Sequence, residues 1–228
     1  MVDSTLLPLR RWFAHSAHAH LGWRDEGSTP GPYCWLGEEP LFDEERSAVP
    51  LRVTLVARQW DASVRPMMRC FEQAARECCN AECFPIDVDS TNVDWDGTSD
   101  ADCVVLLGHG LRIARRWSDL DLSPSWNDDF VRSDEPMTVE SAASAARHPV
   151  TEGVCPFTTE ATSARLGCIP SDAVPLLIGR TDQTIRLVAW TYRGDWGRAF
   201  CTTLGSAADF RRPDFVRLAC NALAWVGR

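Results

Sequence analysis

The chain has 228 residues, 45% hydrophobic and 24% charged, with a formal net charge of −9, which gives one substantial core and an ordinary globular balance. That acidic balance excludes a primary nucleic-acid role, because phosphate backbones require a concentrated basic surface. All 23 basic residues are Arg, which also excludes Lys Schiff-base chemistry and a P-loop lysine.

Pairs such as Arg10-Arg11, Arg115-Arg116 and Arg211-Arg212 read as solvated faces. Ten cysteines are many for this length, but Cys103, Cys201 and Cys220 sit inside apolar runs, where Cys behaves as a small hydrophobe. Cys70, Cys78, Cys79 and Cys83 lack paired C-x-x-C units, so packing is favoured over metal. No secretory apolar region precedes Leu51 and no run reaches the ~18 residues of a membrane span. The expectation is a cytoplasmic protein with no membrane partner.

Residues 1–50 read as an irregular N-terminal arm. A short helix can start at Leu6–Trp12, but Gly27 to Pro32 and Glu38-Glu39-Pro40 break the chain. His15, His18 and His20 are spaced to share a face of a strand or a helix and so present a metal pair; the simpler reading is a solvated, Ala-rich turn.

From Leu51 the pattern is layered α/β. Leu51–Ala57 predicts a strand. Ser63–Cys79 predicts a helix with Val64, Met67, Met68, Phe71, Ala74, Ala75 and Cys78 on one side. Strands at Cys83–Val88 and Asp102–Leu107 follow, the order of a parallel β-α-β unit. Ligands of such sheets gather at the strand carboxyl ends. There Gly108 and Gly110 let the backbone approach a ligand, with His109 as acid, base or ligand; alternatively the glycines only turn the chain.

A helix through Ile113 and Trp117 comes next, then a loop over Asp119–Asp129, whose carboxylates lack calcium-loop spacing and read as a solvated face. Pro136–Ala146 predicts a strand that becomes irregular, and Ala173–Ile178 another. Ile185–Trp190 and Arg198–Leu204 predict a hairpin around Tyr192 to Gly197. Pro213 then opens a helix with Phe215, Leu218, Ala219, Ala222, Leu223 and Val226 on one apolar face.

Residues His148-Pro149-Val150-Thr151, Gly153-Val154, Pro156-Phe157-Thr158, Val188-Ala189-Trp190-Thr191, Gly197 to Phe200, Thr202-Thr203-Leu204-Gly205, Asp209-Phe210, Asn221-Ala222 and Trp225 resemble, in order, the C-terminal half of ThuA-like (trehalose-utilisation) domains, over roughly residues 137–228. The resemblance implies a flavodoxin-like α/β fold related to class I glutamine amidotransferases: a mostly parallel sheet flanked by helices, with an antiparallel C-terminal hairpin, spanning 51–228. It also implies a loose link to carbohydrate metabolism. Two departures stand out. Ser206 occupies the position where the family usually has His, and no apolar run between Leu107 and Met137 can be the family's central strand, so the domain reads as shortened around 111–136. The histidine-rich arm is one candidate replacement.

A glutaminase needs a thiolate with an imidazole in reach. Cys103 and Cys201 lie inside strands with no His beside them in sequence, so amidotransferase activity is not expected. The expectation is a domain that binds or processes a carbohydrate-derived small molecule, as a hydrolase or isomerase if it is an enzyme at all. His109 and His148 are its candidate catalytic groups, Gly108, Gly110, Thr191, Gly205 and Ser206 its candidate ligand contacts, and Trp190 or Trp196 a stacking platform. No cofactor is required, and a homo-oligomer stays open. The alternative is a catalytically degenerate domain used for protein contact, with the arm in the interface.

Overall fold

The computed structural model describes residues 49–58, 64–88, 100–108, 110–116, 130–131, 136–159, 163–164, 169, 171–195 and 197–227. The histidines of the N-terminal arm, His109, the loop Asp119–Asp129 and Trp196 lie outside these residues.

Strand β1 (Leu51–Arg58) leads to helix α1 (Val64–Cys79) and β2 (Ala81–Val88). α1 buries Val64, Met67, Met68, Phe71, Ala74, Ala75 and Cys79, the helical spacing of one face. It ends at Asn80, whose φ of 48° is the left-handed stop that Asn tolerates better than most residues. β3 (Cys103–Gly108) and β4 (Gly110–Ala114) follow, then β5 (Phe130–Val131) and β6 (Met137–Ser141). Two short 3-10 turns, Ala143–Ala145 and Pro149–Thr151, lead to β7 (Phe157–Thr159) and β8 (Ser163–Ala164). β9 (Val174–Arg180), β10 (Ile185–Gly194), β11 (Gly197–Thr202) and helix α2 (Pro213–Gly227) complete the chain.

Nine strands form one sheet in the order β2-β1-β3-β4-β11-β10-β9-β6-β7, and β5 pairs with β8 apart from it. Only β2-β1 and β1-β3 are parallel. Every other pairing in the nine-stranded sheet is antiparallel. β2 is an edge strand, which is where Pro85, lacking an N–H, does not interrupt a ladder.

This corrects the expected flavodoxin-like architecture. The β1-α1-β2 unit is parallel as expected, but the sheet is largely antiparallel, and the described residues contain two α-helices, both on one face. α1 and α2 share a single core cluster, in which Phe210 meets Phe71 edge-on at 6.1 Å and Phe215 at 5.0 Å. The reverse face carries a smaller cluster of Val56, Val104, Ala114 and Ala199, with Leu106 and Tyr192, which neither described helix joins.

The physical reason lies at position 109. One residue separates β3 from β4, whereas a parallel neighbour needs a crossover of roughly a dozen residues or more. The chain therefore folds straight back, and the segment read as a helix through Ile113 is a strand over Gly110–Ala114. β4 also occupies the sheet position between β3 and β11, so the centre of the sheet has a strand where none was expected, running antiparallel. Among the described residues no helix is long and apolar enough to cross a membrane.

Candidate functional site at the carboxyl edge

The strand directions place the carboxyl ends of β1, β3 and β11 on one edge. There the β3–β4 turn meets the segment that follows β11. Gly110 has φ +130°, and a Cβ on it would lie 2.3 Å from the Thr202 carbonyl oxygen. Gly205 has φ +134°, and its Cβ would lie 3.3 Å from the Leu111 Cβ. Both positions need glycine, for conformation as well as space. Gly108 differs: a Cβ there would meet nothing within 4 Å.

Beyond β11 the backbone is held by side chains. The Thr202 hydroxyl donates to Val188 O (2.7 Å) and accepts from Leu204 N (3.1 Å). Asp209, 1% exposed, then clamps the loop. Its Oδ2 accepts from Gly205 N, Ser206 N and Ser206 Oγ, each at 2.9 Å. Its Oδ1 accepts from Thr159 Oγ1 on β7, tying the loop to the far end of the sheet. Asp209 N in turn donates to Ser206 Oγ at 3.2 Å. The Ser206 hydroxyl therefore both gives and receives a bond within the clamp, an arrangement that stabilises the backbone and has, among the described residues, no imidazole beside it.

Thr203 is the exception at this edge. Its N–H bonds Val188 O at 2.9 Å, but its buried hydroxyl has no hydrogen-bond partner among the described residues. Its Cα would lie 3.2 Å from a Cβ on Gly110, so the hydroxyl belongs to the same corner as the Gly108–Gly110 turn. Buried polar groups are seldom left unpaired, and one at a glycine-lined edge points to a missing partner. On strands behind this corner lie buried Arg112 and Cys201, cross-strand neighbours in β4 and β11. Burial pushes the Cys201 thiol up to about 12, against the pull of Arg112 and a hydrogen bond from Tyr192. Burial likewise holds the Cys103 thiol well above its usual range. Neither is a thiolate at neutral pH.

The structure brings Gly108, Gly110, Gly205 and Ser206 to this one edge and places the remaining described candidates elsewhere. Thr191 is buried within β10 opposite Phe200 and Val174, inside the sheet. Trp190 is buried in the same strand. His148 stands at the opposite edge: its ring lies 5.0 Å from Trp225, in the last turn of α2. The end of that helix rests on the first residue of β1, with a Cβ on Gly227 falling 2.7 Å from Leu51 Cδ1. There His148 Nδ1 accepts from Val150 N at 3.2 Å, capping a 3-10 turn. Burial, then the nearby Arg198 guanidinium, lowers its pKa. It is a neutral structural imidazole far from the glycine corner.

Sequence reasoning named Asp209 and Thr203 only within the resemblance and gave neither a role at the site. Ser206-x-x-Asp209 is a reciprocal-capping spacing, and that signal was available. Thr203 had no signal of its own, because only the fold shows that its hydroxyl is orphaned. Among the described residues no group of three or more His, Cys, Asp or Glu is placed to hold a metal. Comparison of the chain with protein-family models, curated proteins and solved structures finds no match in any of the three.

Proposed function

We propose that the chain is a ThuA-like domain that binds a small, carbohydrate-derived molecule at the carboxyl edge of its sheet and does not transform it. The observation that carries this reading is the glycine corner itself, where Gly108 faces open space and the buried Thr203 hydroxyl, next to Gly110, has no hydrogen-bond partner among the described residues. A polyhydroxylated ligand supplies the missing hydrogen bond, and glycines let its ring approach the backbone. The residues behind the family resemblance also touch one another, which supports it. Asn221 Nδ2 donates to Val150 O (3.2 Å) and Glu152 O (2.9 Å), and Asp209 holds Gly205 and Ser206.

Binding without turnover is the reading that the described groups support; His109, in the same turn, lies outside them. Ser206 and Asp209 are committed to each other, the strand thiols are protonated, and His148 is at the other edge. The described cysteines are all free thiols, in keeping with a cytoplasmic setting. The test is a calorimetric screen of sugars and keto-sugars against the wild type, Thr203→Val and Gly108→Leu. Binding that is present in the wild type, weakened in Thr203→Val and abolished when Leu fills the space at 108 supports the proposal. A screen with no binder, or a binder indifferent to both substitutions, overturns it. Turnover of any bound sugar overturns the non-catalytic part.

A further inference from the structure

The amino edge of the sheet carries an arrangement unrelated to the glycine corner. β10 and β11 pair Arg193 directly with Arg198. β11 and β4 pair Ala199 with Ala114, the last residue of β4, and Arg115 follows it directly. Arg193 and Arg198 thus stand directly opposite each other, at the ~5 Å spacing of cross-strand neighbours, and Arg115, one residue past the end of β4, comes up to the same end of β11. Like charges directly opposite are unfavourable, so such a pair costs stability unless an anion compensates it.

Within the described chain no carboxylate does so. Ion pairs such as Arg52–Asp100, Arg76–Glu72 and Arg180–Glu140 involve other arginines. Arg198 is anchored instead by the Trp225 carbonyl, to which its Nη1 donates at 2.9 Å, and by the indole face at 5.1 Å. That leaves its other N–H groups available. The stem of Arg115 lies against Gly197, where a Cβ would come within 3.1 Å of its Cδ. Arg115 and Arg116, with Ala101 and Asp102, line a cleft of about 280 Å³ open to solvent. One Asp102 oxygen already accepts the Arg52 backbone N–H at 2.8 Å.

We infer that this edge is a second binding site, for a small molecule carrying a phosphate monoester. The phosphate sits on Arg193, Arg198 and Arg115, and the remainder of the molecule enters the cleft beside Arg115. A phosphate dianion offers three terminal oxygens to planar, bidentate guanidinium forks, and so suits three cations better than a singly charged carboxylate. The cation–aromatic contact at Trp225 and the helix end beneath it hold the central guanidinium in place before the ligand arrives.

The test is titration of the full chain with inorganic phosphate and phenyl phosphate, followed by calorimetry, with acetate as the carboxylate arm. Saturable binding that weakens with added salt is expected, together with a loss of about tenfold or more in the Arg115→Gln/Arg193→Gln double variant. Arg76→Gln, on the exposed side of α1, should bind as the wild type does. Unchanged thermal unfolding shows that the double variant remains folded, and Arg193→Gln alone, near the hairpin tip, serves if it does not. No saturable phosphate binding, equal affinity in the arginine variants, or acetate binding as tightly as phosphate would each overturn the assignment.

Discussion

Removing the Asp209 carboxylate tests the central claim about the carboxyl edge, that this side chain is a clamp. In Asp209→Ala four hydrogen bonds to the carboxylate disappear together: three at 2.9 Å from Gly205 N, Ser206 N and Ser206 Oγ, and one from Thr159 Oγ1. Gly205 and Thr159 are buried, so their donors are left without water, at about 1–3 kcal/mol each; the half-buried Ser206 groups rebond to solvent at smaller cost. The four bonds share one acceptor group and are not additive, which sets the expected loss at roughly 3–5 kcal/mol. Against a typical domain stability of about 5–15 kcal/mol, that is a large shift in the urea midpoint at unchanged slope. Asp209→Asn should fall less far, because the amide oxygen can still face the three donors on the Oδ2 side while its NH2 donates to the Thr159 hydroxyl, so that mainly the charge of the acceptor is lost. The comparison is Asp214→Ala, where one exposed bond to Cys155 N at 2.9 Å is lost and the change stays within about 1 kcal/mol. Urea unfolding followed by tryptophan fluorescence measures all three variants. A loss below about 1 kcal/mol in Asp209→Ala would refute the clamp, because buried donors cannot lose a charged acceptor that cheaply.

The β3–β4 turn gives a second prediction. Gly110→Ala meets both a left-handed φ and a 2.3 Å approach to the Thr202 carbonyl, and should destabilise by about 4 kcal/mol or more, whereas Gly108→Ala, facing open space, should stay within about 1 kcal/mol in the same unfolding assay. A third concerns pH. The pKa of folded His148 is lowered by burial and by Arg198. The unfolded chain therefore binds more protons in the window between the lowered value and about 6.5, and stability rises with pH across that window. The contribution is complete above about pH 6.5 and is lost as pH falls toward the folded value. Urea midpoints at about pH 5 and 7 should therefore differ more in the wild type than in His148→Gln; an equal difference would show that the imidazole is not the titrating group.

Much of the local structure was legible in the chain because it depends on near neighbours. The apolar face of α2, from Phe215 to Val226, follows from helical spacing, and Pro213 does stand in its first turn. The face of α1 and the β10–β11 hairpin follow in the same way from period and turn chemistry. The run Leu111-Arg112-Ile113-Ala114 misled because all four side chains are buried, and a short stretch buried on both faces has no period by which to tell strand from helix. The resemblance in residues 137–228 located the Gly205-Ser206 loop. It could not show that Ser206 would be bound by Asp209, because Thr159, which completes the clamp, comes from a strand 50 residues earlier in the chain.

By itself, the sequence determined which segments are strands and helices over most of the described chain, the absence of lysine, and the glycines at 108, 110 and 205, since these rest on residue type and short-range spacing. Only the tertiary structure decided that β4 turns back antiparallel into the middle of the sheet, that α1 and α2 share one face, and that His148 and the Gly205 loop lie at opposite edges. It alone also set Arg193 opposite Arg198 and left the Thr203 hydroxyl without a partner among the described residues. Strand order and register are long-range: each is fixed by which distant segments bury one another, and no local pattern in the chain encodes that choice.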